Sequence, residues 1–188
     1  MRTILRLSTR AVQADDPEGG VAARTARSRR TRPVVLLGGM LTWFVCQMIF
    51  PPMAALAAAM AMSSREGGFR REHLLRSIMV FGLVAGTTTH VLMLLRLMPV
   101  PSAPAGYYWF WTALTVVDPL IAAAIVFAPR VGLVAAVALM IADVAVNVTA
   151  SGGFGDWAIW LQSAFGLFVV AATPYCWNQA ALASRRSG

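Results

Sequence analysis

The sequence predicts an all-α integral membrane protein, a bundle of four to five transmembrane helices. Three observations lead there. Of the 188 residues, 58% are hydrophobic and only 13% are charged, whereas a water-facing globular surface needs about 25% charged residues. Several apolar runs approach or exceed the ~18 residues that suggest a membrane span. The short alternating segments of a membrane β-barrel are not visible.

Residues 1–32 read as a basic, disordered cytoplasmic arm. All sixteen basic residues of the chain are arginine, and eight of them lie in this arm. Its opening, "MRTILRLSTRAVQ", also has the acid-free composition of a transit peptide. "ADDPEGG" interrupts it with Pro17, Gly19 and Gly20, which favour a break in any helix. The arm's charge suits lipid headgroups. Nucleic acid is not expected as a partner, because no aromatic residue is interleaved with the arginines for base stacking.

Five apolar segments follow. Residues 33–62 form a hydrophobic segment interrupted by Pro51 and Pro52, either a kinked span or a re-entrant hairpin. Proline removes a backbone donor and opposes helix continuation, whereas "MAALAAAMAM" after the pair is a strong helix former. Residues 75–178 hold a four-helix transmembrane bundle, with segments at about 75–98, 107–128, 131–150 and 157–177. Residues 179–188 form a short basic tail. Tyr107, Tyr108, Trp109, Trp111, Trp157 and Trp160 gather at segment starts, where aromatic rings favour the headgroup layer.

Arginine placement gives a topology. Arg185 and Arg186 point to a cytoplasmic C-terminus, and the other loops then alternate consistently. "SGGFGD" is outside, the turn at Arg130 inside, "PVPSAPAGYY" outside and the four-arginine loop "SSREGGFRREHLLR" inside. A bacterial inner membrane is the expected location. The basic arm conflicts with this scheme: it too should be inside, although segment 33–62 separates it from another inside loop.

Polar residues at depth carry the functional reading. His90, Asp118 and Asp143 fall near the middle of their segments at ~1.5 Å per residue. Asn147 is one helical turn beyond Asp143, and Gln162 lies at a similar level on the last segment. A charge facing lipid costs ~2.5–3.5 kcal/mol even on the lenient insertion scale. These groups should therefore face inward and meet. Two close carboxylates cannot both carry charge cheaply in an apolar medium. The plainer reading is structural: Asp118 serving the backbone opened by Pro119, Asp143 and Asn147 bonding neighbouring helices, and the "GTTT" hydroxyls bonding preceding carbonyls.

Other chemistries find less support. Cys46 and Cys176 form no C-x-x-C pair and sit in apolar runs. Only His90 is deep enough for an axial haem ligand, His73 lying in the basic loop. No compact histidine–acid spacing favours a metal, so neither metal nor cofactor is expected. "GGFG" lacks the strand–helix setting of a phosphate cradle.

"THVLMLL", "FWTALTVVDPL", "PRVGL" and "DVAVN" together resemble a pattern in small bacterial multi-spanning membrane proteins. The resemblance covers roughly residues 78–178 and implies a multi-span fold without implying an activity. The functional expectation is a membrane protein that binds or transports a small cationic, protonatable or lipid-like ligand. Asp118 and Asp143 would bind, His90 would share protons, and Asn147 and Gln162 would orient. The alternatives are an intramembrane acid/base enzyme acting on a lipid or isoprenoid and a non-catalytic accessory subunit of a membrane complex. The lipid bilayer is the assured partner; a partner subunit or a second copy of the chain is compatible with the third reading.

Overall fold

The computed structural model describes residues 17–98 and 104–186, with side chains over 37–65, 67–98 and 104–182. It is all-helical, with five helices and no strand among the described residues: α1 Pro17–Glu66, α2 Arg71–Leu94, α3 Ala105–Phe127, α4 Pro129–Ser151 and α5 Trp157–Arg186. Each carries a stretch long and apolar enough to cross a membrane. The protein is therefore a multi-pass membrane protein.

Of the arm expected over 1–32, residues 1–16 lie outside the described residues. From Pro17 the backbone is already helical, where a loop-like arm was expected. Proline at the first helical position forfeits a donor that has no helical partner in any case, and the Ala- and Arg-rich stretch after it favours helix.

The apolar part of α1 spans Leu37–Arg65 as uninterrupted helix. The chain does not turn back at Pro51 and Pro52. Pro51 is fully buried, so its ring fills space in the bundle. The missing backbone bonds are offset by the Ala- and Met-rich turns that follow, whose Ala58 and Met62 pack into the core.

α2 begins four residues before the expected segment and ends four before its close. Its first turn is fixed by the Arg70 N–H, which donates to His73 Nδ1 at 3.3 Å. That is the reaching-back half of a capping box, with histidine as the acceptor. At its other end Leu97 N–H bonds to Leu92 O (2.9 Å) and Arg96 N–H to Met93 O (3.0 Å). The resulting Schellman closure holds Arg96 at φ 56. Gly152 performs the same turn after α4 at φ 72, with Gly153 N–H on Val148 O at 2.9 Å.

α2 packs on α3, α3 on α4, α4 on α5, and α5 back on α2, closing a four-helix ring. The core joins Met79, Leu83, Ile125, Leu133, Met140 and Val169, each 5% exposed or less. Two glycines set the closest approaches. A side chain at Gly132 would strike the backbone of Ala124 and Ile125, so glycine permits the tight α3–α4 turn. One at Gly82 would enter the Phe165 ring of α5. Gly82→Ala should therefore lower stability by about 1–3 kcal/mol, the usual cost of overpacking. Thermal unfolding in detergent measures this, with Gly106→Ala, a position with open space around it, as the unaffected comparison.

The arginines sort by end. Arg65 closes α1, Arg70 and Arg71 open α2, and Arg130 opens α4. These positions share one end of the bundle, because α1 and α2 run antiparallel from a short turn and α3 and α4 do the same. Antiparallel pairing of α1 and α2 is visible where a Cβ added at Gly39 would strike the Leu97 carbonyl and where Gln47 donates to Ala85 O and Thr89 Oγ1.

Candidate functional site

The middle of the ring holds a chain of polar contacts between helices. On α3, buried Trp111, Leu114, Asp118, Ala122 and Ile125 form the inward stripe. On α4, Asp143 and Asn147 are one turn apart on the same face. Trp111 Nε1–H donates to Asn147 Oδ1 at 2.9 Å. Asn147 Nδ2 in turn donates to Asp143 Oδ1 at 2.8 Å and to the Asp143 carbonyl at 2.9 Å. Gln162 Nε2 on α5 donates to Asp143 Oδ2. Three helices are thus joined through one carboxylate whose two oxygens both accept.

Asp118 is different. It is 4% exposed, and among the described residues its carboxylate has no hydrogen-bond partner. It does not serve the backbone carbonyl opened by Pro119, which a carboxylate could reach only as a protonated donor. On α2 it approaches Gly86, where an added Cβ would stand 3.0 Å from Asp118 Oδ2. The absent side chain at Gly86 is what lets the carboxylate enter the α2–α3 interface. The charges of Asp118 and Asp143 lie close enough to interact. A buried carboxylate with another carboxylate as its charged neighbour is an unbalanced arrangement in an apolar medium.

His90 sits one turn beyond Gly86 on the same side of α2. It lines a small recess with Met93, Leu94, Tyr108, Trp111 and Thr112. Among the described residues its buried Nδ1 has no hydrogen-bond partner, nor has Ser163 Oγ beside Gln162. No hydrogen bond joins His90 to either carboxylate. The structure therefore bonds Asp143, Asn147 and Gln162 to one another, puts Asp118 within electrostatic reach of Asp143, and leaves His90 outside the bonded group in a recess that it shares with Trp111. Upstream, Thr87, Thr88 and Thr89 bond the carbonyls four residues earlier at 3.0, 2.8 and 3.0 Å. The Thr89 hydroxyl also accepts from Trp43 (3.2 Å) and Gln47 (2.9 Å), which fastens α1 to α2.

Two participants were not singled out from the sequence. Trp111 was read only as an interfacial ring, yet its indole N–H holds Asn147. Gly86 entered only as the first residue of the "GTTT" stretch. A second polar group also appears at the arginine-rich end. His73, expected in a loop, is fully buried in the first turn of α2 with Glu72 (5%), Arg76 (2%) and Ser77 (5%). Arg76 donates from Nη2 and Nε to Ile125 O at 2.6 and 3.1 Å, and from Nη2 to Val126 O at 3.2 Å. It caps the carbonyl end of α3, whose charge it complements. Cys176 of α5 lies within reach of the charges on Arg76 and Glu72. Among the described residues, no group of three histidine, cysteine or acidic side chains is placed to hold a metal ion.

No protein-family model, curated protein or solved structure matches this chain.

Proposed function

We propose that the protein binds, and carries across the membrane, a small cation or protonatable ligand at the Asp118–Asp143 pair. One observation carries this reading: Asp118 is buried, has no hydrogen-bond donor among the described residues, and lies within electrostatic reach of a second carboxylate, Asp143. A proton or a cation is the missing partner. Asn147 and Gln162 hold Asp143 in position, Trp111 holds Asn147, and His90 lines the approach. An acid-lined site favours a positive or proton-donating group over a neutral lipid tail.

The setting belongs to the same proposal. Positive-inside bias puts the end carrying Arg65, Arg70, Arg71 and Arg130 in the cytoplasm of a bacterial inner membrane, with the C-terminus on that side. Five crossings then place the Leu37 end of α1 outside. Label at a single cysteine introduced at Asp156, in a chain with Cys46 and Cys176 replaced, should react from outside intact cells. Label at position 130 should require permeabilisation. The reverse pattern would invert the assignment.

Flux tests the function. Proteoliposomes carrying an internal pH-sensitive dye should respond to imposed gradients of monovalent cations or alkylamines. Asp118→Asn and Asp143→Asn should each lose the response while remaining folded. Equal flux in the wild type and both variants would overturn the reading. Product formation from a lipid in detergent, with no gradient, would instead favour an intramembrane enzyme. Co-purification with a fixed membrane partner and no flux would favour an accessory subunit.

A further inference from the structure

We infer that the Asp118–Asp143 pair is reached from one end of the bundle only, the end away from the arginine-rich loops, through the recess at His90. The inference rests on the carboxylate site proposed above and adds the side from which that site exchanges with water.

Packing divides the ring at the level of the carboxylates. On the arginine-rich side the inward positions are closed. Ala122 and Ile125 of α3 are 6% and 0% exposed, and Met140, Ala136 and Leu133 of α4 are 5%, 1% and 0%. Leu83 of α2 and Val169 of α5 complete this layer. It offers no oxygen or nitrogen side-chain atom, so a water or ion crossing it would lose its hydration without replacement. Beyond the layer, Arg76 donates to the last carbonyls of α3.

On the other side the packing loosens. No residue in 84–91 of α2 or in 141–150 of α4 is fully buried. Asp143 and Asn147 fall in that stretch, whereas Asp118 is 4% exposed. The polar side chains lie on this side too. Between α2 and α3 is the recess that His90 and Trp111 share with Met93, Leu94, Tyr108 and Thr112. Tyr108, in the first turn of α3, is 40% exposed. From Trp111 the hydrogen bonds run on to Asn147 and then Asp143, at 2.9 and 2.8 Å. A polar track thus leads from the recess to the pair. On the α3 stripe, buried Leu114 stands between Trp111 and Asp118, so exchange reaches Asp143 first. His90 Nδ1, buried and without a partner among the described residues, is a group that water entering the recess would satisfy.

Single cysteines test the route, in the full chain with Cys46 and Cys176 replaced. Oriented proteoliposomes are treated from each face with a membrane-impermeant cationic methanethiosulfonate. Thr112→Cys should react from the face opposite the one that labels position 130. It should do so about tenfold faster than Ala113→Cys, its neighbour at the same depth on an exposed face, since only a thiol in water forms the reactive thiolate. Ala122→Cys and Ala136→Cys, small changes within the closed layer, should react from neither face. Two positions on different helices keep the test decisive if one variant melts early in detergent. Reaction of either from the arginine-rich face as fast as that of Thr112→Cys would overturn the proposal. So would equal rates for Thr112→Cys and Ala113→Cys. Label on Thr112→Cys should also abolish flux, and flux undiminished by the label would overturn the route. Absence of flux before labelling would instead count against the proposed transport, while the labelling pattern decides the side of access by itself.

Discussion

Asp143→Leu should destabilise the bundle by about 2 kcal/mol, whereas Asp143→Asn should leave it near wild type. The carboxylate accepts from Asn147 on its own helix and from Gln162 on α5. Leucine fills the space but removes both acceptor oxygens. The Gln162 amide then loses its acceptor in an apolar interior, and Asn147 Nδ2 keeps only the backbone carbonyl of position 143, while Asn147 Oδ1 still accepts from Trp111. An unmade bond to a buried donor costs about 1–3 kcal/mol in soluble proteins, and interhelical bonds in membranes average nearer 0.6. Two weakened contacts therefore give the intermediate figure. Asparagine keeps one acceptor oxygen, so the α4–α5 link survives while the charge is lost. Thermal unfolding in detergent separates the two variants, and flux should be lost in both. Equal stability of the leucine variant would show that Asp143 does not hold the helices together.

Arg76→Met should cost about 3 kcal/mol, at the upper range for bonds to a charged donor. The side chain is 2% exposed and donates to two carbonyls at the end of α3. Methionine matches much of its length but leaves Ile125 O and Val126 O without that donor at a buried helix end. Arg76→Lys should recover part of the loss, since an ammonium reaches one carbonyl but lacks the fork. Urea or thermal unfolding of the three proteins in the same detergent orders them. A methionine variant as stable as the wild type would remove the capping role.

The spans were legible because length and apolarity are local properties. The boundaries of α3 and α4 fall within two residues of the expected segments. The start of α2 was less visible, since "FRREH" reads as a charged loop. It becomes helix with Glu72, His73 and Arg76 buried, Arg76 on the carbonyls that end α3 and, with Glu72, near Cys176 of α5, a long-range arrangement that composition does not show. Pro51 was ambiguous for the same reason: proline opposes helix locally, yet its ring is buried in the bundle. At the candidate site, depth placed Asp143, Asn147 and Gln162 at adjoining levels. It could not show that Trp111 would reach Asn147, nor that the bare backbone at Gly86 would admit Asp118. His90 shows the converse. Its depth was right for a partner of the acids, but its direction along α2 turns it to a recess beside Trp111.

In the proposed function the buried Asp118–Asp143 pair holds an exchangeable proton or cation. Infrared difference spectroscopy of the protein in lipid, between low and high pH and with and without added cation, reads this directly. The claim predicts a carboxyl C=O band that changes with pH and with cation, is lost in Asp118→Asn and is shifted in Asp143→Asn. A spectrum with no such band, or one unchanged in both variants, would contradict it.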